Sequence, residues 1–245
     1  MKKIISVFVV SSALFFGACT TQEVLSGLNG VLGSSSESWV PNEQDAGKAL
    51  KQALTTGVSK GVDILSMDNA FYKDQAIRIL LPPEVKNVES KLRKIGLGNE
   101  MDKAVKSLNT AAGRASSHAK PIFVDAIKSM SFADALGILT GGEGSATNYL
   151  RRKTTSNLQN AYRPEIKSSL DQVNATKYWA DIFNTYNKIP LVKDINPDLP
   201  SYVTDKAIFA MFREVERVEN DIRKDPINRV TDLLQKAFGY ADGQK

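Results

Sequence analysis

The sequence predicts an all-α fold, a single compact domain of about nine or ten helices over residues 42–245, preceded by a removable leader (1–18) and a tether (19–41). Three observations predict it. Apolar residues beyond Asn42 recur in steps of three or four, the period of a helix with one buried face. Prolines and glycines fall between these stripes in the order that helix ends favour, Pro just inside the start and Gly just past the end. Only one short run, residues 77–81, reads as extended, and one strand cannot make a sheet.

The leader comes first in the chain. Lys2 and Lys3 precede an apolar run at residues 4–16 that is broken only by small residues and leaves through Gly17-Ala18, the plan of a secretory signal peptide. Thirteen residues are too few for a membrane span, which needs about twenty. Phe16-Gly17-Ala18-Cys19 resembles the bacterial lipobox, with Phe in place of the usual Leu. The resemblance implies cleavage before Cys19, a diacylglyceryl thioether on its sulfur and acylation of the freed amine by a chain such as palmitate. Cys19 is the only cysteine, and a lipidated thiol accounts for an unpaired cysteine in an exported chain. Thr20 stands where an Asp would mark retention at the inner membrane, so the expected address is the outer membrane, facing the periplasm. The expected partner is therefore the membrane itself, through acyl chains on Cys19.

Cleavage would leave 227 residues and lower the formal charge from +5 to about +3. That balance steers weakly towards anionic surfaces, and an exported chain has no nucleic acid to meet. A composition of 42% hydrophobic and 24% charged residues is that of an ordinary globular protein. Residues 20–41 are rich in Ser and Gly, which suits a flexible tether, although Val24, Leu25, Leu28, Val31 and Leu32 form a sticky patch within it.

The helices follow in order. Ala46, Leu50, Leu54, Val58, Val62 and Leu65 stripe a helix of about 23 residues. Gly57 and Gly61 lie near that stripe, where missing side chains would let a partner helix cross closely. After the extended run, Pro82-Pro83 opens a helix carrying Val85, Val88, Leu92 and Ile95, closed by Gly96. Met101, Val105, Leu108, Ala112 and Ala115 mark the next, and Pro121 starts a segment with Phe123, Ile127 and Met130. Ser131 and Asp134 read as a capping box, residues 140–144 as a turn, and another helix begins near Ser145. Ile166, Leu170 and Val173 continue the pattern, followed by Trp179, Ile182, Phe183 and Tyr186. A connection with Pro190, Pro197 and Pro200 leads to a long helix striped by Ile208, Met211, Phe212, Val215, Val218 and Ile222. Asp225-Pro226 offers a cap, and Leu233, Leu234 and Phe238 stripe the last helix, which Gly239 should end.

Several segments taken together resemble one family. They are Gly47-Lys48-Ala49-Leu50-Lys51-Gln52-Ala53-Leu54, Ile77-Arg78-Ile79-Leu80-Leu81-Pro82, and Leu139-Thr140-Gly141-Gly142 with Ala146-Thr147-Asn148-Tyr149. The set closes with Tyr202-Val203-Thr204, Ile222-Arg223-Lys224-Asp225-Pro226, Thr231-Asp232-Leu233-Leu234 and Phe238-Gly239. In this order they resemble the bacterial domain-of-unknown-function family numbered 4197. The resemblance implies a helical exported protein and brings no activity, ligand or catalytic residue.

Chemistry is sparse. His118 is the only histidine, which excludes metal sites built on two or three imidazoles and leaves a catalytic triad a single base to use. Glu216, Glu219 and Arg223 share a helix face at i, i+3 and i+7, the pattern of a solvated ion-paired surface. Residues 141–144 before a helix have the look of a phosphate cradle, but the Lys-Ser/Thr ending of a P-loop is missing and Glu143 would repel phosphate, so a structural turn is expected. The basic cluster Arg151, Arg152 and Lys153, with Arg163 and Lys167 beyond it, is a candidate contact for anionic headgroups. Trp179, Phe183 and Tyr186 fall on one helix face and are a candidate apolar pocket, with core packing the simpler account. No residues are singled out as catalytic, cofactor-binding or metal-binding. The expectation is thus a membrane-anchored envelope lipoprotein, a non-enzymatic helical module binding lipid or another envelope component. A structural partner in an envelope assembly and a periplasmic hydrolase using carboxylates or His118 are the competing readings.

Overall fold

In the computed structural model the described residues are 43–94, 96–186, 198–229 and 232–243. Helix α1 (Glu43–Leu65) buries Ala49, Leu50, Ala53, Leu54, Val58, Val62 and Leu65, the stripe anticipated from its spacing. It is followed by the single turn α2 (Ala70–Lys73), which begins at Asn69 with a left-handed φ of 61° and buries Phe71. After a turn at residues 75–77 the chain runs extended, without strand pairing, into a 3-10 turn at Pro83–Val85 and helix α3 (Lys86–Lys94). Gly96 takes a φ of +91°, a conformation that favours glycine and turns the chain out of α3. Val88, Leu92 and Ile95 lie outside the described side chains.

Helix α4 (Gly98–Ser116) carries the small-residue stripe Ala111, Ala112 and Ala115. Helix α5 (Ala119–Lys128) starts slightly earlier than Pro121 suggested, with that proline in its first turn, where its missing N–H costs nothing. Helix α6 (Phe132–Thr140) opens on the expected capping box. Ser131 Oγ accepts from the Asp134 backbone N–H at 3.1 Å, and the Asp134 carboxylate accepts from the Ser131 N–H and hydroxyl. Those bonds hold the Asp134 carboxyl below the ordinary aspartate value.

Helix α7 (Ser145–Asp171) is longer than its sequence stripes suggested, because it passes straight through Pro164. Its core positions Leu158, Tyr162, Ile166 and Leu170 repeat every four residues and are fully buried, each contributing about 1.5–3 kcal/mol of transfer free energy. Burial also pushes the Tyr162 phenol well above its usual value. Val173 is not on that stripe. The helix ends at Asp171, Asn174 turns with φ 55°, and Val173 is left 52% exposed.

Helix α8 (Ala175–Tyr186) precedes residues 187–197, so Pro190 and Pro197 lie outside the described residues. Pro200 is not in the connection. It sits in the first turn of α9 (Leu199–Lys224), whose N-cap is Asp198. Helix α9 is the central element, packed along α7 and α1, and Phe212 at its middle meets Phe123 edge-on with ring centroids 5.8 Å apart. The close crossing anticipated at Gly57 and Gly61 is made by α9: a Cβ at Gly57 would stand 3.0 Å from Val218 Cγ1, and one at Gly61 would stand 3.3 Å from Glu214 Cγ. Helix α10 (Asp232–Asp242) does not stop at Gly239; the Gly243 N–H still reaches the Gly239 carbonyl at 3.2 Å. No described helix is long and apolar enough to cross a membrane. The leader, Cys19 and the tether lie outside the described residues, as do the side chains of Leu233 and Leu234.

Candidate functional site

The family-like segment at residues 77–82 leaves a turn in which Asp74 accepts from the N–H groups of Ala76, Ile77 and Arg78; beyond it the chain is extended, and side chains of two helices meet backbone groups that no strand pairs. Asn109 on α4, 2% exposed, accepts from the Ile79 N–H at 2.8 Å and donates to the Ile79 carbonyl at 2.7 Å. One amide side chain thus imitates a neighbouring strand. On α9 the Tyr202 hydroxyl donates to the Leu80 carbonyl at 3.0 Å, and Arg213 Nη1 donates to the Ala76 carbonyl at 2.9 Å. The extended segment therefore lies antiparallel to α9.

Tyr202, Lys206, Phe209 and Arg213 follow one another at steps of four, three and four, which places them on a single face of α9. That face is opposite to the buried stripe. With the extended segment it forms an open groove of about 290 Å³. Its lining includes Leu80, 55% exposed, and Phe209, 57% exposed. Three cations line it as well, the exposed Lys86 and Lys206 and the half-buried Arg78. Arg78 stacks its guanidinium 4.0 Å over the Tyr72 ring, while its buried Nε has no acceptor among the described residues. Lys206 lies 5.7 Å over the Tyr202 ring.

The Glu219 region turns out differently from its sequence expectation. Glu219 and Arg223 do not form a solvated face; their side chains are 5% and 8% exposed and pair at 2.8 Å. Glu219 accepts from the Ala146 and Thr147 backbone N–H groups at 3.0 and 2.9 Å and from the Thr147 hydroxyl at 2.8 Å. Arg223 donates to the carbonyls of Gly141 and Ile138 at 3.1 and 2.8 Å. The glycine turn before α7 is therefore an anion site whose anion is the protein's own Glu219, which leaves it structural. Helical spacing puts the three residues on one side, but only the fold decides that another helix start covers it. Glu216 remains exposed, and Glu143 pairs with Lys224 at 3.0 Å.

The other sequence candidates are dispersed. Arg151, Arg152 and Lys153 are successive residues of α7, about 100° apart around the axis, and do not form one patch. Arg151 stacks 4.6 Å over the Phe212 ring, Arg152 is exposed, and Lys153 lines a separate open cleft with Asp125, Ser129 and Asn157. Arg163 is engaged by Asp198 at 2.7 Å, and Lys167 by Asp171. Trp179 is buried, while the side chains of Phe183 and Tyr186 lie outside the described residues. His118 is exposed at the start of α5, 4.0 Å from Glu165. Its neighbour Glu165 and the Glu219 partner Thr147 are separated by about 27 Å along α7, so the carboxylates and the imidazole weighed for hydrolysis are not brought together. Among the described residues no group of three or more His, Cys, Asp or Glu is placed to hold a metal ion.

Sequence reasoning missed Phe209, Lys206 and Tyr202. The available signal was an aromatic residue between two cations, off the apolar stripe of its own helix. Among known proteins, residues 41–239 match the family described as protein of unknown function (DUF4197). No curated protein and no solved structure matches.

Proposed function

From the premise that the chain belongs to the DUF4197 family, we propose that it is a non-enzymatic envelope lipoprotein, held through acyl chains on Cys19, whose helical domain docks by its α9 groove onto an anionic lipid surface. The observation that carries this reading is the pair Leu80 and Phe209, more than half exposed in a groove that Lys86, Lys206 and Arg78 also line. Completing the burial of two half-exposed apolar side chains yields about 1 kcal/mol each. A cation near an anionic leaflet adds about 1 kcal/mol. Such a sum would be marginal for a free protein, but the acyl tether makes the second contact intramolecular and raises its effective concentration. Residues 20–41 would then set how the domain reaches back to the bilayer.

Two measurements test the proposal. Labelled palmitate should enter the wild-type chain and not Cys19→Ser. With Cys19 acylated, a Leu80→Cys variant holds one free thiol, which takes an environment-sensitive fluorophore. In vesicles of phosphatidylglycerol and phosphatidylethanolamine its emission should shift to the blue and become shielded from an aqueous quencher, while in phosphatidylcholine vesicles it should stay exposed. A label that remains open to the quencher in both vesicles sinks the docking. Palmitate incorporation that survives Cys19→Ser sinks the anchor.

A further inference from the structure

Helix α4 and the second half of α7 run antiparallel, since Tyr162 reaches the Ser116 carbonyl at one end while Gln172 shares a cleft with Lys103 and Lys106 at the other. This open cleft of about 310 Å³ has no lining residue in common with the α9 groove. Lys103, Lys106 and Arg114 project along it from α4, and none of the three enters an ion pair among the described residues. No carboxylate lines it. The nearest acids in sequence are already engaged, Asp102 by Arg93 at 2.8 Å and Asp171 by Lys167.

Two features define the ligand. Lys103 and Arg114 are eleven residues apart, about 16 Å along the helix, so they meet anionic groups spread along a molecule and not one phosphate. Between and opposite the cations stand Ser107, Thr110, Ser169 and Gln172. The Ser107 hydroxyl donates to the Lys103 carbonyl at 3.0 Å, and with that bond kept it offers a ligand its lone pairs. A bare polyphosphate offers acceptors alone and would leave those lone pairs unpaired unless the hydroxyl gave up its bond to Lys103. A sugar hydroxyl can donate to them.

We propose that this cleft binds an acidic saccharide, its sulfate, phosphate or carboxylate groups on Lys103, Lys106 and Arg114 and a hydroxyl donating to Ser107. The volume matches the lower end of small-ligand sites, about 300 Å³. The site is independent of the membrane-docking reading, so Phe209→Ser leaves it intact.

Titration calorimetry on the full chain in neutral detergent tests it with three probes: a heparin tetrasaccharide, maltotetraose and inorganic tripolyphosphate. The heparin tetrasaccharide should bind and maltotetraose should not. Lys103→Ala and Arg114→Ala should each weaken the tetrasaccharide about tenfold, the loss of one charge-assisted contact. Ser107→Ala should weaken the tetrasaccharide and leave any tripolyphosphate binding unchanged. All three positions are at least partly exposed, and circular dichroism confirms that the variants fold. Absent tetrasaccharide binding, binding unmoved by the cation substitutions, or tripolyphosphate binding as tightly as the tetrasaccharide overturns the proposal.

Discussion

The chain deals with its charged residues in two opposite ways. At the junction of α6, α7 and α9, Arg223 and Glu219 are buried together, and every contact of the carboxylate is internal. Nearer the start of the same helix, on the outer face of α9, Lys206 and Phe209 stand in solvent beside Leu80. The first arrangement consumes its own binding capacity, because the helix start that would attract an anion already holds one. The second leaves apolar area and positive charge unspent. A glycine turn at a helix start is thus a poor guide to a ligand here, because the fold has already filled it.

The sharpest way to break this comparison is Glu219→Ala. It leaves the buried Arg223 without its counter-charge, though still bonded to the Gly141 and Ile138 carbonyls, and strands the N–H groups of Ala146 and Thr147; removal of one partner from a buried pair costs about 3–5 kcal/mol. Urea denaturation should show that loss, with Glu219→Gln intermediate because the amide oxygen still accepts. A loss below 1 kcal/mol would mean that water reaches the junction and that it is not closed to outside ligands.

Asn109→Ala links the interior to the groove. It leaves the Ile79 N–H and carbonyl without their partner, at about 1–3 kcal/mol for each stranded group. The extended segment should then exchange its amides faster, and the Leu80 label should lose its lipid-dependent shift. Unchanged exchange at Ile79 would show that Tyr202 and Arg213 suffice to hold the segment.

How far the sequence carried differs between these two regions for a physical reason. The helices were legible because burial imposes a period, and the Gly57 and Gly61 crossing was legible because close approach needs missing side chains. The extension of α7 through Pro164 was not, since a proline interrupts propensity locally while the surrounding stripe of Leu158, Tyr162, Ile166 and Leu170 is held by tertiary packing. The reach of α10 beyond Gly239 has the same cause: glycine permits a helix end without requiring one. In the groove, the sequence delivered the run expected to extend at 77–81, of which Ile77 still belongs to a turn and none pairs as a strand, but not what lies beside it. Residues 80 and 209 are far apart in the chain, and only the antiparallel seat on α9 joins them.

Asp198 provides a smaller effect with a pH signature. Its partial burial raises the carboxyl pKa, but the bonds from the Ser201 hydroxyl, Arg163 and the Ser201 N–H outweigh that and hold it below the ordinary value. A lowered folded value means that this stabilisation is fully present above the unfolded aspartate pKa, about 3.9. It is lost as pH falls from there through the folded value. Asp198→Ala should cost about 1 kcal/mol at neutral pH, the worth of an N-cap, and little more for the partly exposed Arg163 pair. It should also flatten stability against pH below that point; an unchanged acid limb would remove Asp198 as its source.

The smallest stability change is expected where the functional change is expected to be largest. Phe209 and Phe212 are three residues apart on α9, yet Phe209 is 57% exposed and Phe212 is fully buried against Phe123 and under Arg151. Residues three apart on a helix share a broad flank, so neighbourhood alone does not assign them different roles; what each one touches does. Phe212→Ala opens a core cavity, at about 3–5 kcal/mol. Phe209→Ser removes no packed neighbour from the interior and should shift stability by no more than about 0.5 kcal/mol. In anionic vesicles the same substitution should abolish the blue shift of the Leu80 label. If Phe209→Ser destabilises the fold as Phe212→Ala does, the exposed aromatic is part of the core after all, and the groove has no apolar lining to offer a lipid.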